Sequence, residues 1–184
     1  MNETILSGDL NGDDLEVLEP QELASESTRS GNSYHVVTTS SVNPTALLDG
    51  FTIAGGNADD NDYGSDGGGM LIIEYGANPT VRNCTFRDNT AGWAGGGMNA
   101  FHTSATLTGC TFVHNAAAHG GGLYDLGRSH VSLTDCSFVD NSTVYSGGGI
   151  SCDVASSVLT DCTFAGNTAR WSGGAISNAE GGAP

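Results

Sequence analysis

Cysteine recurs every 26 residues through the second half of the chain, at Cys84, Cys110, Cys136 and Cys162. Phenylalanine follows each two places later, at Phe86, Phe112, Phe138 and Phe164. Asparagine closes each unit three places after that, at Asn89, Asn115, Asn141 and Asn167. Three residue types kept in step over four units mark a short structural element stacked on copies of itself. A globular core assembled once has no reason to repeat.

Each unit opens on a Gly-Gly-Gly or Gly-Gly-Ala step, at Gly67, Gly95, Gly120, Gly147 and Gly173. An apolar residue follows each step: Met70, Met98, Leu123, Ile150 and Ile176. A second apolar position comes at Val81, Leu107, Leu133 and Leu159, and the Cys-x-Phe segment comes third. Strand side chains alternate, so Cys and Phe share one face while Thr85, Thr111, Ser137 and Thr163 take the other. Short strands at fixed spacing, split by Gly turns, predict an all-β parallel solenoid with three strands per coil and about five to six coils.

Stacking explains the repeated residues. Coils ~4.8 Å apart bring like residues into ladders along the axis. Asn ladders pass amide hydrogen bonds from coil to coil, and each Phe buries apolar area worth on the order of 2 kcal/mol. In-register Cys side chains point the same way, a poor approach for a disulfide, so the thiols are expected to be reduced and buried. Cys152 stands outside their ladder, and the spacing fits no zinc pattern.

The N-terminal part is less regular. Leu48, Phe51 and Ile53 take the places of Val81, Cys84 and Phe86, and Asn57 closes that unit one residue late. Ile5-Leu6 would end an earlier coil, and His35-Val36-Val37 would begin the next. The Glu-rich stretch from Asp13 to Ser33 keeps no register and reads as a loop thrown out from the coil body, with a helical turn near Glu19 to Ala24. Residues 1–33 are therefore expected to form a partial coil plus an acidic excursion, and 34–184 the solenoid. The last unit stops at the start of a coil, as expected of a piece of a longer chain with further coils or domains beside it.

Charge narrows the partners. The 21 acidic residues face 5 arginines and no lysine, for a formal net charge of −16. Such a surface repels nucleic acid and anionic membranes, which need clustered Lys and Arg. It also repels acidic polysaccharide unless a divalent cation bridges the two. No apolar run approaches the ~20 residues of a membrane span, so direct membrane insertion of this segment is not expected.

Gly-Gly-Ala-Ile at Gly173 to Ile176, with Phe-x-x-Asn at Phe86 to Asn89 and its three successors, resembles the repeat of polymorphic outer-membrane proteins. More broadly, the chain is similar to the right-handed parallel β-helix repeats of the pectin-lyase-like superfamily. That resemblance implies a secreted or cell-surface protein, either an adhesin or autotransporter passenger, or a polysaccharide lyase or hydrolase. The Asn-Thr-Asp, Gly-His-Gly and Arg-x-Lys signatures of polygalacturonase-like members are missing. A lyase-like site would need acids to hold calcium against a uronate and a base, often Arg, to take the proton α to its carboxylate. The first strands and the turns after them offer Asn99, His102, Tyr124, Asp125, Arg128 and Asp153 within three successive coils, and of these His102, Asp125, Arg128 and Asp153 are the catalytic candidates.

Two acidic loops suggest calcium. Asp60-x-Asp62-x-Gly64-x-Asp66 sets alternating carboxylates beside a glycine, so several oxygens could converge on one hard cation. Asp9-x-Asn11-Gly12-Asp13-Asp14 superficially resembles an EF-hand loop, but Asp14 stands where the sharp-turn Gly belongs. The leading expectation is a non-catalytic extracellular segment acting as a spacer, adhesive or glycan-contact surface. The alternative is a calcium-dependent polysaccharide lyase.

Overall fold

The computed structural model describes residues 3–59, 65–73 and 76–179. Every strand pairing among them is parallel, and the strands stack into four sheets that run the length of a solenoid. The first sheet carries the segments after the Gly steps, from Val37–Ser40 and Met70–Ile73 through Met98–Phe101, Leu123–Leu126 and Ile150–Asp153 to Ile176–Ala179. The second holds Leu47–Asp49, Thr80–Arg82, Thr106–Thr108, Ser132–Thr134 and Val158–Thr160. The Cys-x-Phe strands form the third, and Thr4–Ser7 and Phe51–Ala54 extend it toward the N-terminus.

A fourth, shorter sheet follows the Asn turn: Asn57–Ala58, Thr90–Ala91, Ala116–His119, Ser142–Ser146 and Thr168–Ala169. It adds to the three strands per coil expected from the repeat. Four coils keep the 26-residue register of Phe and Asn. Five to six are reached only by including the longer coil from Val37 and the partial coils at either end.

The interior is built of ladders. The rings of Phe86 and Phe112 stack at 4.7 Å, Phe112 and Phe138 at 4.7 Å, and Phe138 and Phe164 at 5.0 Å, all within 6° of parallel. Beside them the Asn carboxamides are linked end to end. Nδ2 of Asn89, Asn115 and Asn141 donates to Oδ1 of the next Asn at 3.0, 2.9 and 2.9 Å. The second Nδ2 hydrogen of each reaches back to a carbonyl of the preceding coil, those of Ile53, Phe86 and Phe112. Oδ1 of Asn115 and Asn141 also takes a backbone N–H, so these two buried amides use all of their hydrogen-bonding capacity.

The five cysteines are free thiols. Those of the ladder donate to backbone carbonyls, as Cys110 does to Val81 at 3.5 Å. Burial pushes the Cys84 and Cys162 thiols up, which makes them poor nucleophiles.

The Gly steps have a steric reason. At Gly95, φ is +67°, and a Cβ would sit 2.3 Å from the Met98 carbonyl oxygen. At Gly97 a Cβ would meet the Gly122 carbonyl at 2.6 Å and the Phe112 ring at 2.9 Å. The first glycine lets the chain turn, and the third leaves room for the phenylalanine stack.

Pairing confirms that Leu48, Phe51 and Ile53 share register with Val81, Cys84 and Phe86. Asn57 departs from expectation. Its strand position matches Thr90, and its Nδ2 donates to the Arg29 carbonyl. Gly56 takes the ladder place instead, its backbone N–H donating to Asn89 Oδ1 at 3.0 Å. The ladder therefore begins on a backbone amide.

The acidic excursion is not thrown clear. It forms two short 3₁₀ turns, Pro20–Ser25 and Ser27–Gly31, and lies against the fourth sheet. Leu23 is buried within the first of these turns. Arg29, 3 % exposed, locks the excursion in place: it pairs with Asp14 at 3.2 Å and donates to the carbonyls of Gly56 at 3.1 Å and Asp88 at 2.7 Å. His114 adds a second fastening, between the Asp88 carboxylate at 2.9 Å and the Leu18 carbonyl at 2.8 Å. No helix of the described residues is long and apolar enough to cross a membrane.

Two outcomes are expected. Phe112→Ala, which opens a cavity in the middle of the stack, should lower stability by about 3–5 kcal/mol in chemical denaturation. Phe164→Ala should cost less, because that ring is only half-buried. Arg29→Met should release the excursion, seen as rapid proteolytic cleavage within residues 13–31 while the solenoid stays resistant. Loss of a buried ion-pair partner costs on the order of 3–5 kcal/mol.

Candidate functional site

Strand alternation divides the residues nominated from sequence. In the first sheet Met98, Ala100, Leu123, Asp125, Ile150 and Cys152 point inward, and Asn99, Phe101, Tyr124, Leu126, Ser151 and Asp153 point outward. Asp125 is thus fully buried inside the solenoid, in line with Ala100 and Cys152. Ser157 Oγ donates to its Oδ2 at 2.7 Å, and burial pushes its carboxyl up. Asp153 lies on the other side of the sheet. His102 and Arg128 occupy equivalent turns one coil apart, with φ of +53° and +63°. Their chain positions agree, but Arg128 is exposed and Asp125 is enclosed. The structure therefore does not assemble His102, Asp125, Arg128 and Asp153 around one point.

It assembles a different group. Trp93, His119, Tyr145 and Trp171 are also 26 residues apart. They lie where the fourth sheet bends into the Gly step, and their rings follow one another up the outside of the solenoid. Centroid separations are 5.3 Å from Trp93 to His119, 5.0 Å from His119 to Tyr145 and 4.8 Å from Tyr145 to Trp171. The two tryptophans are 54 % and 74 % exposed. A local irregularity helps to build this stripe. Pairing shifts register between Ala117 and His119, so His119 falls in line with Ala94 and Ser146 and turns toward the first sheet. Its ring lies 6.1 Å from that of Tyr124.

In the same sheet runs the outward row Asn99-Tyr124-Ser151. All three residues are nearly covered although their strand positions face out. Tyr124 donates its hydroxyl to Asp153 Oδ2 at 3.4 Å. Burial, then the neighbouring Asp153 charge and its hydrogen bond, push the Tyr124 phenol well up, so it remains a hydroxyl. Asp66 is bridged to Ala94, and burial pushes its carboxyl up to about 6. Burial also lowers the His119 imidazole, which favours the neutral ring.

The calcium loops fare unequally. Asp60 and Asp62 lie outside the described residues, and Asp66 is bridged to Ala94. Asp9, Asp13 and Asp14 do converge, with carboxylate oxygens within 4.8 Å of one another. Some of their oxygens are engaged, whereas Asp14 Oδ1 is buried without a hydrogen-bond partner among the described residues. Asp9 accepts the N–H groups of Gly12, Asp13 and Asp14, and Asp14 accepts Arg29 and Asn32. A pocket of about 770 Å³ lies between the excursion and the fourth sheet, lined by Pro20, Ala24, Ala117 and Thr143 among others. None of the nominated catalytic residues or of Asp66 lines it.

Residues 27–183 match the family model for a right-handed β-helix region. The chain belongs to the right-handed β-helix family. That fixes the hand of the solenoid and agrees with the preferred hand of parallel crossovers. No curated protein and no solved structure matches this β-helix chain.

In this β-helix protein pH probes the burial of Asp66. Its carboxyl rises from 3.8 in the unfolded chain to about 6 when folded, so the native state holds the proton more tightly. The stabilising contribution is complete below the unfolded value and is lost as pH rises through about 6. Asp66→Asn should remove that decline, which would appear as a melting-temperature difference between variant and parent that changes across this window. A constant difference would show that Asp66 does not titrate as its burial requires.

Proposed function

We propose that this β-helical segment is a non-catalytic part of a larger secreted or cell-surface protein and presents a glycan-contact surface. The observation that carries this reading is the aromatic stripe, whose two ends are exposed tryptophans. Large aromatic rings held in water invite a partner with an apolar face. A sugar ring offers one in its axial C–H groups, which carry slight positive charge and meet the negative face of an aromatic ring. The acidic surface argues against nucleic acid and anionic membrane as that partner. The fold by itself names no ligand.

The lyase alternative draws less support. Its two acids, Asp125 and Asp153, are separated by the sheet, so they cannot hold one cation against a bound uronate. The chain's two tryptophans both lie in the stripe, so intrinsic fluorescence reports on this surface alone. Titration with a panel of soluble polysaccharides should shift the emission and protect it from a collisional quencher, and Trp171→Ala should abolish most of the response. An unchanged emission across the panel would refute glycan contact. Sustained release of an unsaturated, ultraviolet-absorbing uronide from pectate or alginate with calcium would instead establish the lyase.

A further inference from the structure

We propose that His114 is a proton-operated latch on the acidic excursion. With both ring nitrogens protonated it holds the excursion against the fourth sheet. On losing one proton it lets that segment lift and uncovers the cavity beneath.

The partners of the ring set its protonation. His114 Nδ1 lies 2.9 Å from Asp88 Oδ1, and Nε2 lies 2.8 Å from the Leu18 carbonyl oxygen. A carboxylate and a carbonyl can only accept, and a neutral imidazole has a single N–H to give. Only the imidazolium therefore satisfies both. A neutral ring would turn a nitrogen lone pair on one of these oxygens. Its remaining proton would stay with the carboxylate, the stronger acceptor, so the Leu18 bond is the one given up.

Leu18 sits where release has an effect. Residues 14–29 form a loop closed at its base by the Arg29–Asp14 pair and, one step further in, by the Leu15 N–H donating to Thr28 Oγ1 at 3.2 Å. Beyond that base, the His114–Leu18 contact is the one hydrogen bond among the described residues that ties residues 15–28 to the solenoid. What remains is packing of the Pro20–Ser25 turn on the fourth sheet. Leu18 and His114 both line the cavity of about 770 Å³ between this turn and the sheet. A segment with so few fastenings opens locally without unfolding the body, and Arg29 keeps its base attached.

The charged groups around the ring come from several elements. Asp88 also binds Arg87 at 2.6 Å through its other carboxylate oxygen. Asp140 holds the equivalent turn one coil further on, and like Asp88 and His114 it has a positive φ. Glu19 and Arg170 line the same cavity as His114, and Asp9, Asp14, Glu16 and Arg29 line the adjoining one with it. Carboxylates outnumber arginines there, so a positive ring is balanced by its neighbours.

The test is amide hydrogen exchange of the intact chain at about pH 5 and about pH 8, the range over which histidine changes charge, corrected for the intrinsic effect of pH on exchange. Amides of residues 15–28 should lose protection at least about tenfold at the higher pH, as expected for a hydrogen bond from a charged group, while the Cys-x-Phe strands stay protected. Ring nitrogen spectra at the lower pH should show both nitrogens of His114 protonated. His114→Asn keeps a residue suited to the left-handed turn but is too short to span both acceptors, so its excursion should exchange fast at both pH values. Asp88→Asn should protect the excursion at both, because its amide can donate to Nδ1 of a neutral ring whose Nε2–H stays on Leu18. Protection that does not change with pH, or a docked ring carrying one proton, would overturn the latch. So would a parental pH response in either variant, which would place the titrating group elsewhere, as at Asp66. Should His114→Asn fail to fold, Asp88→Asn and the ring spectra decide.

Discussion

Inside the solenoid the carboxamides of Asn89, Asn115, Asn141 and Asn167 form one continuous chain of hydrogen bonds, the first three donating to the next coil and all four back to the previous one. In a low-dielectric interior such a row is stabilising only while every member is satisfied. The row therefore requires every coil to bring its asparagine back to the same place beside the one before. The phenylalanine stack, the thiol row and the Gly steps all inherit their alignment from that requirement. Where the chain does slip by one residue, between Ala117 and His119, it does so in the fourth sheet, past the ladder, where irregular pairing costs least.

An interior held this firmly leaves the outward positions free to vary. Each outward residue sits above the equivalent residue of the coil below, so any side chain placed there becomes part of a row along the axis. The aromatic stripe is such a row. Its members differ in kind, which a structural ladder would not need but a surface shaped for a ligand can use. The high negative charge fits the same division. Carboxylates cover the outside, keep neighbouring molecules apart, and at Asp153 supply a hydrogen-bond acceptor to Tyr124.

The excursion shows how an insertion is reconciled with a repetitive body. It leaves the solenoid after Thr4–Ser7, returns before Val37–Ser40, and is held against the fourth sheet by a buried arginine and a bridging histidine. Arg29 reaches backbone carbonyls on two neighbouring coils, those of Gly56 and Asp88. It thereby fastens the less regular N-terminal coil to the regular ones, where the Asn ladder is continued through the Gly56 N–H and the Ile53 carbonyl and not through a further asparagine.

Much of this was legible from residue spacing. Identical residues at one period can only mean stacked coils, and Phe86, Asn89 and Cys84 with their successors stand where the period puts them. The first irregular coil was legible through Leu48, Phe51 and Ile53, because apolar positions survive where identities do not. Asn57 misled, since a residue of the right type one place late looks like a ladder member when only backbone pairing shows Gly56 in its place. The stripe kept the same period as the cysteines but was hidden by its mixed identities, Trp, His, Tyr and Trp. Asp125 and Asp153 look alike in sequence, yet strand alternation sends one into the core and the other to the surface. Spacing along the chain thus determined the solenoid and its ladders, because coil-to-coil contacts repeat with the sequence. Only the tertiary structure decided where the excursion docks and which rings stand beside one another in the stripe. The docking contacts join residues whose separation in the chain follows no period, and a bend of one residue is enough to bring a ring into the stripe.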